Sequence, residues 1–349
     1  MPIFYIIKIL VLTALAFVFA ISWTPLLTHF LYKYKLGKHI RNSGATPVFS
    51  TLHAHKAGTP TMGGLLIWVT VLIFSLSFFY LPKIFPWDFL KDINFLSRGE
   101  TLLPLGALVA SALVGWFDDW LDVRGKGVLG GGGLKIKHRL VIYAIIALIG
   151  AWWFYFKLDW DAFNLPFISN LHLGLSYILV FIFVIVATAF SVNETDGLDG
   201  LAGGVLLICF TAYCVIAFSL GKYDLAAFCG VIAGALLAFL WFNINPARFF
   251  MGDTGSMSLG VTLGVIAMLT NTAMILPIIG SVFVLESLSV IIQLTSKKLR
   301  GKKVFLSSPI HHHFEAKGWS EPKIVMRFWV IAGVSAAVGL VIFLLDRLW

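Results

Sequence analysis

Residues 102–122, LLPLGALVASALVGWFDDWLD, open with an uncharged apolar run up to Phe117 and close on Asp118, Asp119 and Asp122. Crossing hydrocarbon as a helix takes about 20 mostly apolar residues, so this window, extended into its flanks, reads as a membrane span with an acidic end. A helix C-terminus already carries partial negative charge, which disfavours each carboxylate there by about 0.3–1 kcal/mol unless a cation compensates. The stretch therefore predicts both a span and something positive beside its end. Arg124 or Lys126 in the loop would serve, and so would a divalent metal or a basic active-site side chain.

Nine further apolar windows flank it, at 3–31, 63–81, 140–156, 173–192, 201–220, 225–242, 257–271, 273–295 and 325–345. The 349-residue chain is 59% hydrophobic and 12% charged, whereas globular chains are about 25% charged, so a soluble or disordered protein is excluded. Cys209, Cys214 and Cys229 lie inside apolar runs without metal-site spacing, which excludes a disulfide scaffold. The net charge of +9 does not indicate a nucleic-acid partner, because the charges sit in gaps between spans. The expected fold is an all-α integral membrane protein of about ten transmembrane helices, a single polytopic domain over 1–349 in a lipid bilayer. The first window is too long for a cleavable signal and is followed by Lys33, Lys35, Lys38 and Arg41.

Ten spans leave nine loops alternating between two sides. Loops one, three, seven and nine carry 18 Lys and Arg, against 6 on the other side. The positive-inside rule then places the odd loops in the cytoplasm and both termini outside. Carboxylates do not follow that rule, yet they gather in the same loops. The fifth, Asn193-Glu194-Thr195-Asp196-Gly197-Leu198-Asp199-Gly200, holds three acids and no base. Capping of the next helix by Thr195 or Asp196 accounts for one polar group and leaves the others. In the seventh, Asn243 through Ser256, Asp253 alone reads as an N-cap. Three acidic loops on one side read instead as a shared site.

Oxygen ligands select hard cations, and Mg²⁺ is usually held by one or two carboxylates together with substrate phosphates. Lys56, Lys135, Lys137 and Arg139 are on the correct side to meet such phosphates. The ninth loop contains His311-His312-His313-Phe314-Glu315. Consecutive helical residues diverge by about 100°, so the three imidazoles do not form one zinc triad, and one or two of them are expected on phosphate oxygens. The segment Lys56 to Gly64 is a tight entry into the second span or an anion-approaching backbone.

In order along nearly the whole chain, these strings resemble the phospho-N-acetylmuramoyl-pentapeptide transferases, within the polyprenyl-phosphate N-acetylhexosamine-1-phosphate transferase superfamily. The strings are Lys56 with Gly58-Thr59-Pro60-Thr61-Met62-Gly63-Gly64, Asp118-Asp119, Asn193–Gly200, Asn243–Asp253 and His311–Glu315. The resemblance implies transfer of phospho-MurNAc-pentapeptide from UDP-MurNAc-pentapeptide to undecaprenyl phosphate, giving lipid I and UMP. It implies a bacterial cytoplasmic membrane, a cytoplasmic site and Mg²⁺, and leaves a homodimer open. Carried over, Asp253 and Asn193 would hold the metal, and Asp118 and Asp119 would handle the lipid phosphate. Lys56, Asp196, Asp199, Asn243 and Phe250 would line the uridine and diphosphate pocket, with His311 and His312 on the phosphates. Asp122, where a base is expected, and the run Gly130–Gly133 depart from the family pattern.

Two other classes compete. A sibling transferase would use UDP-N-acetylglucosamine with the same loops. An ion-coupled transporter would put its ionisable groups near mid-membrane, where only Glu286, in the window with Pro277 and Gly280, is expected. A prenyltransferase reading of Asp118–Asp122 leaves the other loops unexplained.

Overall fold

The computed structural model describes residues 2–37, 56, 58–85, 87–125, 134 and 136–348. Lys38, Arg41, Lys126, Lys135 and Gly130–Gly133 lie outside the described residues. In chain order the elements are α1 (Pro2–Lys33), α2 (Leu65–Ile84), α3 (Asp88–Ile93), α4 (Leu102–Val123), α5 (Ile136–Lys157), β1 (Ala162–Leu165), β2 (Ser169–His172), α6 (Ser176–Thr195), α7 (Leu201–Ser219), α8 (Tyr223–Asn243), α9 (Gly252–Leu269), α10 (Leu276–Ile279), α11 (Ser281–Arg300), α12 (Ile310–Ala316) and α13 (Glu321–Asp346). Among the described residues nine helices are long and apolar enough to cross a membrane: α1, α2, α4 to α9 and α13. The chain is an all-α integral membrane protein.

The expected tenth span, 273–295, departs from a single apolar rod. It is a short α10, a break at Gly280, and an α11 that runs into the basic Lys297, Lys298 and Arg300. Glu286, Gln293 and the hydroxyls of Ser287, Ser289 and Ser296 in α11 face inward and leave its composition short of a lipid-exposed helix. Asn271, just before α10, touches the β1–β2 hairpin, whereas His311, just after α11, lies beside the Asp196 loop. The broken element therefore still carries the chain from one end of the bundle to the other. The antiparallel hairpin itself, with Asn164 opposite Asn170, was not expected from the sequence.

At the centre stands α9, in which every residue except Asp253 is buried. Its polar side chains survive there because Ser256, Ser258 and Thr262 donate to carbonyls one turn back, at 2.7–3.0 Å. Small residues let neighbouring helices approach. A Cβ on Gly115 of α4 would strike the Asp253 carbonyl, and one on Gly64 would strike the backbone at Gly255. These contacts seat the first turn of α9 between α2 and α4.

Polar contacts sort the two ends of the bundle. At one end Lys8 donates to the Asn94 carbonyl (2.7 Å) and pairs with Asp224, while the hairpin's Asn164 donates to Asp346 near the C-terminus (2.8 Å). At the other end the starts of α5, α9 and α13 meet the ends of α4, α6 and α8. Both chain termini thus lie opposite the carboxylate loops.

Replacing Gly115 with Val should force α4 and α9 apart and cost about 1–3 kcal/mol, the usual range for overpacking. The check is the thermal midpoint of the detergent-purified chain, which should fall by several degrees while Gly106→Val, at an open position, changes little.

Candidate active site

Arg139, in the first turn of α5, reaches across to three other helices. Its Nε lies 2.8 Å from Asp118 Oδ2 at the end of α4. Its Nη2 donates to Asp253 Oδ2 at the start of α9 (2.6 Å), and Nη1 donates to Asn193 Oδ1 at the end of α6 (2.9 Å). Asn193 Nδ2 in turn donates to Asp253 Oδ1 (2.6 Å) and to Ser256 Oγ (2.9 Å). Asp118 is fully buried and its other oxygen accepts from the Leu134 N–H at 2.6 Å. Guanidinium geometry suits such a fork of oxygen acceptors.

Asp119 faces elsewhere. Its two oxygens accept the backbone N–H groups of Asp253 and Thr254, both at 3.0 Å, and Thr61 donates at 3.3 Å. It therefore caps α9 from another helix, satisfying N–H groups that a helix start leaves open. Asp253 is not the N-cap. It sits inside the first turn, where a carboxylate is favoured by the helix dipole, so its side chain is released toward Arg139. Gly252, at φ +73°, leaves room for this cap: a Cβ there would come within 2.5 Å of Asp119 Oδ2.

A second buried cluster forms around Lys56. Its Nζ lies 2.7 Å from Asp199 Oδ1 and 2.6 Å from Glu321 Oε1, and 5.8 Å from the centre of the Phe250 ring. Asp199 Oδ2 also accepts from Asn245 Nδ2 (3.0 Å) and the Ala247 N–H (3.1 Å). Two chain segments connect the clusters. Asp196, in the loop with Asp199, accepts from the Gly252 N–H at 3.1 Å, and Phe250 precedes Asp253 by three residues.

Asn243 stands apart from the sequence expectation of a pocket-lining residue. Buried at the end of α8, it accepts from the Gly200 N–H and donates to the Phe249 carbonyl, both at 2.9 Å. Both ends of its amide are committed to backbone, so it fastens the two acidic loops together.

The three histidines diverge as the helical angle requires. His311 is buried, with Nδ1 2.9 Å from Glu286 Oε2, and its Nε2 edge packs on Gly197. His312 contacts Glu315 at 2.5 Å, and His313 accepts from the Leu306 N–H at 3.2 Å. Glu286 is thus half of a buried pair rather than a lone acid. Sequence reasoning gave Glu321 no role and counted Arg139 as one cation among several. Their position, each between chain segments far apart in sequence, carried no local motif.

The oxygen set suits a hard cation. Asp118, Asp253 and Asn193 aim carboxylate and amide oxygens at one point, which the Arg139 guanidinium fills. With both carboxylates ionised, one cation does not neutralise them. The same imbalance recurs where Lys56 meets Asp199 and Glu321.

Two expectations follow. Asp119→Ala should leave two buried N–H groups without acceptors, at about 1–3 kcal/mol each, and lower the thermal midpoint more than Asp119→Asn does. For His311, burial disfavours the imidazolium, but the Glu286 carboxylate outweighs it, with Glu315 and Glu194 acting in the same direction, so its pKa is raised above the ordinary 6.5. A raised folded pKa gives stability that is complete below the unfolded pKa and fades as pH climbs through the folded value. The loss of thermal midpoint on Glu286→Gln should therefore be largest below pH 6.5 and shrink above it.

Comparison with known proteins places this site in a family. The profile of glycosyl transferase family 4 matches residues 101–271, and phospho-N-acetylmuramoyl-pentapeptide-transferase signature 1 matches residues 56–67. The chain is 42% identical to the phospho-N-acetylmuramoyl-pentapeptide-transferase of Anoxybacillus flavithermus, over 96% of this chain and 98% of that one. It is 38% identical to that of Bacillus anthracis, over 96% and 97%, and 38% identical to that of Clostridium novyi, over 93% of each. With such identity over nearly the full length, and with Lys56, Asp118 and Asp253 held where three distant loops converge, the chain belongs to the phospho-N-acetylmuramoyl-pentapeptide-transferase family.

Proposed function

We propose that the protein transfers phospho-MurNAc-pentapeptide from UDP-MurNAc-pentapeptide to undecaprenyl phosphate, yielding lipid I and UMP for peptidoglycan synthesis. The observation that supports this most directly is the Arg139 bridge, which brings Asp118, Asn193 and Asp253 to one point at one end of a membrane bundle. The basic loops at that end support a cytoplasmic site in the bacterial inner membrane.

Two anionic phosphates must meet, so repulsion is the problem the residues solve. Mg²⁺ fits the oxygen set, with Asp253 and Asn193 as its holders; when bound it neutralises charge on the diphosphate and on the leaving UMP. Lys56 and Arg139 each stand between two carboxylates, and incoming phosphate oxygens compete for the same N–H groups. Substrate binding therefore exchanges internal ion pairs for contacts with the ligand. Asp196 and Asp199 are held by the backbone of the 244–252 segment, which positions Phe250 beside Lys56 to flank the nucleotide. His311 brings the α12 edge against Gly197, in the loop that carries Asp196 and Asp199.

The attacking group needs little activation. A phosphate monoester has a second pKa near 6 and is mostly dianionic at neutral pH. We assign Asp118 to orient the lipid phosphate, or to remove its residual proton, for a direct in-line displacement at the sugar-bearing phosphorus. The P–O bond to UMP breaks as the new diphosphate bond forms. Asp119 acts at one remove, by fixing the first turn of α9 that carries Asp253.

A cavity in the bundle supports a route for the lipid. An apolar cavity of about 320 Å³ lies between α6 and the α10–α11 break, from Phe163 of the hairpin past Phe183 and Pro277 to Ser191. Ser191 is two residues from Asn193, so a polyprenyl tail in this groove delivers its phosphate toward the cluster from within the bilayer.

The test offers the purified protein undecaprenyl phosphate with either UDP-MurNAc-pentapeptide or UDP-N-acetylglucosamine and measures UMP release with and without Mg²⁺. Release should occur with the muramoyl nucleotide alone and should require the metal; release with UDP-N-acetylglucosamine alone would assign the sibling reaction. Asp253→Ala should lower turnover by at least about 10²-fold, the scale for losing a group that stabilises transition-state charge, with the thermal unfolding transition retained.

A further inference from the structure

Away from the cluster, at the same end of the bundle, an open cavity of about 630 Å³ lies where the end of α1 faces the loop between α8 and α9. Its walls include Thr28, His29, Tyr32, Lys33, Phe242 and Arg248. The Arg248 segment is held against α1, because Tyr32 Oη donates to the Arg248 carbonyl at 3.0 Å and the Arg248 N–H donates to the Phe242 carbonyl at 2.8 Å. The concavity is therefore built by two elements and is not a groove on one helix.

Its chemistry changes with depth. Phe242 and the α1 turn around Thr28 supply an apolar floor, while Lys33 and Arg248 stand at the rim. Among the described residues neither cation has a carboxylate within ion-pair distance, whereas Lys56 and Arg139 at this end are each held between two acids. Tyr32 in the wall is exposed, as are Phe30, Tyr34 and Trp241 at the adjoining ends of α1 and α8. Aromatic residues with Lys and Arg at the end of a span mark the headgroup level of a bilayer. A pocket that is cationic above and apolar below, at that depth, matches a molecule with an anionic head and an acyl chain.

We infer that this pocket binds the phosphodiester headgroup of an anionic glycerophospholipid, with Lys33 and Arg248 as the recognising cations. Arg248 in the wall directly follows the segment whose Asn245 and Ala247 hold Asp199. A bound headgroup thus rests on the loop that supports the Lys56 cluster, while none of the cluster's own residues takes part in holding the lipid.

The experiment titrates the delipidated full-length protein in detergent with phosphatidylglycerol or phosphatidylcholine and counts bound lipid by native mass spectrometry. The wild-type protein should hold one phosphatidylglycerol in clear preference to phosphatidylcholine. A cation near a membrane surface contributes about fivefold to such binding, so the Lys33→Ala, Arg248→Ala double variant should lose about 25-fold for phosphatidylglycerol and, with it, the preference over phosphatidylcholine. The Lys33→Arg, Arg248→Lys variant, which keeps both charges, should retain the preference. Equal affinity for the two lipids in the wild type, or unchanged phosphatidylglycerol binding in the alanine variant, would overturn the assignment. Displacement of the lipid by millimolar inorganic phosphate would overturn it also, by assigning the pocket to free phosphate.

Discussion

A single guanidinium ties the candidate site together. Arg139 contacts Asp118, Asn193 and Asp253, and through them α5 is joined to α4, α6 and α9. Burying such a cluster is costly in itself: ions lose hydration, and the attraction between them repays that loss only with good geometry and further hydrogen bonds. The surrounding contacts supply those bonds, from the Leu134 N–H to Asp118 and from Asn193 to Asp253. A fold built only for stability would do as well with apolar side chains at these places. The expense is understandable if the oxygens are kept for charged ligands, which is the sense of the proposed phosphoglycosyl transfer.

The central helix makes that arrangement rigid. α9 is buried along its length, and glycines at its contacts with α2 and α4 allow backbone to meet backbone. Asp119 fixes its first turn from the side, so that the neighbouring Asp118 and the capped Asp253 are held in one frame. Two adjacent aspartates consequently do different work: one is spent on backbone N–H groups, and the other faces the guanidinium. Their difference comes from direction around a helix, about 100° per residue.

Much of this was legible in the sequence. The apolar windows gave the membrane helices, and acids grouped in alternate loops pointed to one shared site, since hydropathy makes those loops neighbours at one end. Other features were hidden for physical reasons. The window 273–295 is apolar on average, and only the placement of Pro277 and Gly280 hinted that it breaks into α10 and α11. The Asp253 side chain looked like a cap, because a carboxylate at a helix start is usually one; that the cap comes instead from Asp119 is a tertiary fact. Glu321 shares Lys56 with Asp199 although 122 residues separate the two acids, and no local pattern records such a partner. Asn243 was grouped with ligand-facing residues by resemblance, whereas its amide is occupied by Gly200 and Phe249.

Arg139 and Asp253 act as one unit with Asp118. Without Arg139 the buried Asp118 and the half-buried Asp253 face each other unscreened, and removing Asp253 as well relieves that repulsion. The most direct measurement is a double-mutant cycle on thermal midpoints, using Arg139→Ala, Asp253→Ala and the double variant. Residues in one ionic network couple by about 0.5–3 kcal/mol, so the double variant should be less destabilised than the sum of the singles. Strictly additive losses would mean that the two side chains do not sense each other and that no shared ionic unit exists.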